Sequence, residues 1–323
     1  MKNRQLFTGL GASIGMMVLI LDGKTALEGA KAAVELCLWT VIPSLFPFFI
    51  LSVLLTGTFF GQEIPLLRPL GKIFSLPSGT EALMIPAFLG GYPAGAQSIS
   101  QAYRTGHLKK EEAERLLAFC SNAGPAFLFG MTGPMFPEKW MVWALWAIHI
   151  GSAYLVCRMF PGSNAVAKLQ AGPAITVTGA LLSAIRIMAQ VCSWVMLFRV
   201  FIGFLRRWVL WILPTEFQVA ICGLLELSNG CCNLALIESV PLRFILCSGF
   251  LAFGGLCVTM QTASVTEGLS IRKYIFGKIL QLCFSILLAM GVMVHPAAII
   301  PCCFPFFYGK IRNNSRNPAA VGV

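Results

Sequence analysis

The stretch Ala82–Tyr103, ALMIPAFLGGYPAGAQSISQAY, is apolar enough for a membrane yet carries Gly90, Gly91, Pro93 and Gly95 at its centre. In the corresponding place of the second half, Phe217–Ile237, FQVAICGLLELSNGCCNLALI, is interrupted by Glu226, Ser228, Asn229 and Gly230. At bilayer depth the backbone N–H and C=O groups freed by such breaks cannot turn to water. They must line a cavity buried in protein or bind something. Paired interruptions in two halves are the sequence pointer to a transporter's binding site.

Composition places the rest of the chain in the membrane as well. Hydrophobic residues make up 57% of the 323 and charged residues 11%, against roughly 25% charged in soluble domains. The windows Ala82–Tyr103, Leu116–Pro137, Met141–Cys157, Phe244–Thr266 and Ile279–Gly309 contain no Asp, Glu, Lys or Arg. Several reach the roughly 20 residues that cross the hydrocarbon. The net charge of +11 comes from Lys and Arg scattered between apolar spans, as in cytoplasmic loops, so a nucleic-acid partner is not expected. Most of the 12 cysteines lie inside apolar windows and read as small buried hydrophobes. The adjacent pairs Cys231-Cys232 and Cys302-Cys303 lack the spacing of a zinc site. Neither metal nor cofactor is expected.

Lys2 and Arg4 precede an apolar run from Leu6, which reads as an uncleaved first helix with its N-terminus in the cytoplasm. The expected organisation is this helix and its loop (1–31), a first transmembrane repeat (32–170) holding the hairpin 82–103, and a second repeat (171–323) holding the hairpin 217–237. The loop RTGHLKKEEAER, Arg104–Arg115, decides the first hairpin's course. A full crossing would put it outside, against the positive-inside rule; a re-entrant hairpin keeps it cytoplasmic. Spans are expected near Ala32–Phe60, Leu116–Thr132, Trp140–Met159, Thr176–Phe204, Phe244–Thr266, Lys278–Val294 and Ala297–Tyr308, with the C-terminal tail inside. The second hairpin then enters from outside, and Arg206 and Arg207 fall on the outer side. The expected fold is an all-α polytopic membrane protein built from inverted-topology repeats, each with a re-entrant or broken helical hairpin.

The candidate substrate-binding residues follow from the two tips. Gly91, Pro93 and Gly95 let the backbone turn sharply and approach a ligand. Tyr92 offers a ring and a hydroxyl, and Gln97 and Ser98 open the returning half-helix, whose N–H groups favour an anion. A packed helix kink is the plainer alternative. Glu226 is an ionisable group in an apolar segment, suited to a cavity, a proton path or a cation, or to capping the hairpin's own N–H groups. Ser228, Asn229 and Asn233 add donors and acceptors beside it, and Asn122 can face the same cavity because Pro125 disturbs its span. Glu35 and Arg186 either snorkel or pair with an opposite charge. His149 and His295 read as packed or interfacial. No Ser-His-Asp, HExxH, Walker or GxGxxG arrangement occurs, so no enzymatic activity is expected.

Three segments carry a resemblance: Gly91–Ala96, GYPAGA; Ala113–Phe119, AERLLAF, followed by Asn122-Ala123-Gly124-Pro125; and Gly223–Gly230, GLLELSNG. Together they resemble the YlbJ-type sporulation integral membrane proteins, within the nucleoside recognition or gate-domain membrane group, over about Ala32–Ser264. The resemblance implies a transporter in the outer forespore membrane that moves dipicolinic acid, a small aromatic dianion, towards the forespore. The expected partners are therefore the lipid bilayer, a small anionic substrate and a coupling proton or cation, and the architecture is compatible with a homo-oligomer. Two other functions fit the same residues: transport of a nucleoside or another small metabolite, and a non-transporting role in assembling a sporulation membrane complex.

Overall fold

The structure, a computed structural model, describes residues 2–59, 62–162 and 176–295. Among these the chain is helical, with no strand. It opens with α1 (Lys2–Leu21), then α2 (Gly23–Leu36) and α3 (Ile42–Phe59), fused through a π turn at Cys37–Val41. Asp22 caps α2 by accepting from Thr25 N at 3.3 Å, so the continuous helix begins at Gly23, nine residues before the expected start. The short α4 (Arg68–Ile73) leads to the first broken segment, α5 (Met84–Phe88) and α6 (Ala94–Arg104). Next come α7 (Lys110–Leu117), a non-helical stretch at Ser121–Gly124, and α8 (Pro125–Phe127), extended by a π turn to Thr132. The half closes with α9 (Lys139–Met159).

The second half runs in the same order. A long helix, α10 (Val177–Trp208), is followed by the broken pair α11 (Thr215–Leu225) and α12 (Leu227–Asn233). A second broken pair follows, α13 (Val240–Phe253) and α14 (Gly255–Val265), and then α15 (Arg272–Val294). Among the described residues, five helical segments are long and apolar enough to cross a membrane: Gly23–Phe59, Lys139–Met159, Val177–Trp208, Val240–Val265 and Arg272–Val294.

Several expected spans differ in kind. Leu116–Thr132 is a helix end, a non-helical stretch and a short helix that starts at Pro125, a residue suited to the first helical position. Phe244–Thr266 breaks at Gly254 and Gly255, at φ +78° and +84°. That left-handed pair is open to glycine at little steric cost. Arg272–Val294 is a single helix that starts six residues before the expected Lys278. The expected span Ala297–Tyr308 and the tail lie outside the described residues.

Apolar packing fixes where the halves meet. α10 runs antiparallel to α2 and α3: a Cβ at Gly29 would lie 3.0 Å from the backbone of Val200. Val41 and Leu45 share a buried cluster with Val191 and Val195. A second cluster mixes Tyr92, Phe127 and Leu145 of the first half with Leu227, Phe250 and Leu251 of the second. A third gathers Phe74, Leu83, Ala102, Leu108 and Tyr274, so both arms of the first broken segment return to one end of the bundle.

That end collects the basic connections. Arg115 donates to Ser75 O at 2.6 Å and Phe160 O at 3.1 Å, and pairs with Glu112 at 2.5 Å. Ser270 N donates to Glu114 at 2.9 Å, and Lys273 to Glu111 O at 3.4 Å. The second broken segment opens at the other end, where Arg243 donates to Met135 O at 2.7 Å and Ile237 O at 2.6 Å. Arg207, also there, is paired with Asp22 at 3.1 Å. Glu35 and Arg186 are exposed, and no ion pair joins them.

Candidate substrate site at the helix breaks

All four interruptions meet in the middle of the bundle. Gly91 turns the first tip at φ +76°, followed by a cis Tyr92-Pro93 bond. A Cβ on Gly91 would lie 3.4 Å from Gly124 N, so the tip rests on the break of its own half. The second tip does the same, with Leu225 O 3.1 Å from where a Gly255 Cβ would be. Tyr92 reaches across: its hydroxyl donates to Leu251 O at 3.0 Å, with Ala252 O at 3.3 Å. Those carbonyls belong to the last turn of α13, where the break at Gly254 removes their helical partners. A side chain of the first hairpin therefore caps the broken helix of the second half.

Glu226 performs the equivalent task at its own tip. In extended backbone before α12, its carboxylate accepts from Ser228 N at 2.9 Å and Asn229 N at 2.6 Å. This is an N-cap, and the negative charge complements the positive end of the helix. The α12 N-terminus is thus already occupied by a carboxylate of the chain.

Between the tips lies a cavity of about 40 Å³, lined by Gly91, Tyr92, Gly124, Glu226, Ser228 and Gln261 among others. It has room for a few waters and is well below the roughly 300 Å³ at which ligand pockets begin. Of the residues expected to bind substrate, Gly91, Tyr92, Glu226 and Ser228 line it. Pro93, Gly95, Gln97 and Ser98 stand behind the first tip. Gly95 is packed against backbone, since a Cβ there would fall 2.1 Å from Cys120 O. Asn122 is buried and donates to Ala87 O at 3.2 Å and Phe119 O at 2.8 Å. Asn229 gives its N–H to Glu226, and Asn233 bonds back to Asn229 along α12. His149 is packed, as expected, with Nε2 accepting from Ala123 N at 3.1 Å; His295 ends α15.

Sequence reasoning missed the polar stripe of α15. Tyr274, Lys278, Gln281 and Ser285 are all fully buried, at spacings of four, three and four, on one helix face. Gln281 donates to Asn122 Oδ1 at 3.1 Å, and Ser285 bonds Ser248 at 2.7 Å. Lys278 donates to Tyr92 Oη at 3.1 Å, to Gln281 Oε1 at 2.7 Å and to Ser121 O. The spacing was the available signal, but Lys278 read as a helix end at the membrane face.

The helices and the central breaks define the class: an all-α polytopic integral membrane protein with discontinuous helices. Within it, the chain is similar to the sporulation integral membrane protein YlbJ of Bacillus subtilis (strain 168), at 33% identity over 117 residues. That match covers 35% of this chain and 28% of the relative, so the chain spans under a third of the protein it matches. No family model matches the chain, and no solved structure matches it.

Proposed function

We propose that the chain is a secondary transporter of a small organic anion, with dipicolinate the first candidate, and that its halves are inverted-topology repeats. The observation that carries this reading is the convergence of three helix breaks on one central cavity lined from both tips, with the fourth, at Gly254-Gly255, packed against Tyr92 and Leu225. Irregular backbone at membrane depth belongs where a substrate path runs. The repeated order of long helix, broken pair, broken pair and helix supports the repeat, as do broken segments that open at opposite ends. Similarity to a sporulation integral membrane protein supports a role in sporulation, and the location in this reading is the outer forespore membrane. The basic end is then cytoplasmic, together with both termini.

In this reading the cavity of about 40 Å³ is a closed state, and the tips separate to admit substrate. Tyr92 stacks on an aromatic anion, and Glu226 takes up a coupling proton when it releases the α12 N-terminus. The chain is a carrier and not an enzyme. A deletion strain complemented with Gly91→Leu, Tyr92→Ala, Asn122→Ala or Glu226→Gln tests it. Spore dipicolinate and heat resistance are expected to fall with the tip variants. Full restoration by all four would overturn the site, and purified protein that binds uridine but not dipicolinate would overturn the substrate.

A further inference from the structure

Lys278 is a fully buried amine in the second turn of an apolar helix, and no ion pair reaches it among the described residues. Its three partners are neutral oxygens: a hydroxyl (Tyr92), an amide carbonyl (Gln281) and a backbone carbonyl (Ser121). An ammonium has three N–H donors and a neutral amine two, so three acceptors match the charged form. Two rings add to this: Nζ lies 4.9 Å from the Tyr92 centroid and 5.9 Å from that of Tyr274, within cation–π range. Ser121 O lies in the non-helical stretch between α7 and α8, outside any helical ladder. Ser121 Oγ is also buried, with no partner among the described residues.

Carbonyls of unwound helices, with a few side-chain oxygens, are how discontinuous helices hold a coupling cation. We propose that Ser121, Tyr92 and Gln281 form a monovalent-cation site occupied by the chain's own Lys278 ammonium, which locks the first tip to the second half. The tether crosses between halves, since Tyr92 and Ser121 belong to the first half and α15 to the second. The site therefore needs no sodium from solution. The inference goes beyond the transport reading, and its test does not use transport.

The test is chemical rescue of the purified full chain in detergent at constant ionic strength. The wild type is expected to melt at the same temperature in choline, sodium and methylammonium chloride. Lys278→Ala vacates the ammonium and leaves its acceptors unpaired. It is expected to melt about 5 °C or more lower in choline, and to regain at least half of that loss in methylammonium or sodium. Lys278→Met fills the space without charge and is expected to show the loss without the rescue. A Lys278→Ala deficit that small cations leave unchanged, or a Lys278→Met variant that melts with the wild type, overturns the proposal. If Lys278→Ala aggregates in choline, solubilising it throughout in methylammonium must restore monodisperse protein, and failure there also overturns it.

Discussion

Tyr92→Phe removes one oxygen from the centre of the molecule and keeps the ring. The hydroxyl accepts from the Lys278 ammonium at 3.1 Å and donates to Leu251 O at 3.0 Å. Its loss strands one donor of a buried cation and one carbonyl of a broken helix. A hydrogen bond to a charged group contributes about 1.5–3 kcal/mol and a neutral one about 1 kcal/mol, and stranded partners do not recover the difference. The expected destabilisation is therefore about 2–4 kcal/mol. Melting in detergent, followed through the seven tryptophans, measures it. Tyr154→Phe is the control, since Tyr154 is half-buried and packs its ring edge-on against Phe74 at 5.9 Å; it is expected to stay within about 0.5 kcal/mol of wild type. A Tyr92→Phe protein that unfolds with the wild type would refute the capping of α13. Combined with Lys278→Met, the two losses are expected to be strongly non-additive, because the residues share one bond.

Glu226→Gln keeps one of the two acceptors that cap α12, so melting is expected to change by about 1 kcal/mol, while dipicolinate uptake into proteoliposomes falls at least about tenfold if the carboxylate carries the coupling proton. Gly95→Ala is expected to abolish folded yield in membranes, because its Cβ would meet Cys120 O at 2.1 Å and Ala87 Cα at 3.0 Å, both backbone. Gly130→Ala, with nothing within 4 Å, is the matched control and should express normally. Single cysteines at exposed Lys109 and Glu238, in a background freed of the native 12, are expected to label from opposite sides of the membrane; labelling from one side would refute the placement of the two broken segments.

How much of this was legible depends on what each residue type must do in a bilayer. The two tips were legible because glycine, proline and glutamate have no business inside an apolar window unless backbone is being released there. Loop charge gave the first hairpin an expected direction, and Arg115 of that loop is pinned to Ser75 O and Phe160 O at the end to which both arms return. The break at Gly254 was harder to see, since two glycines in an apolar run also suit close helix packing; only the left-handed backbone decides. Lys278 was misjudged for a physical reason. A lysine next to a hydrophobic run ordinarily marks the membrane face, and nothing local separates that case from a cation turned inward. The separating signal is the periodic row of Tyr274, Gln281 and Ser285, which makes sense only if its face meets other polar groups.

The two halves complete each other at the places where each is broken. The first lends Tyr92 to the last carbonyls of α13, and the second lends Lys278 to the carbonyl of Ser121. Because Lys278 also donates to Tyr92, the two loans are one connected unit, and neither helix end can be released without disturbing the other. Drawing Tyr92 away from the second half would therefore break several buried bonds together, each worth more here than at a wet surface. The arrangement is cooperative at its centre, with the left-handed backbone of Gly254 packed against the Tyr92 ring.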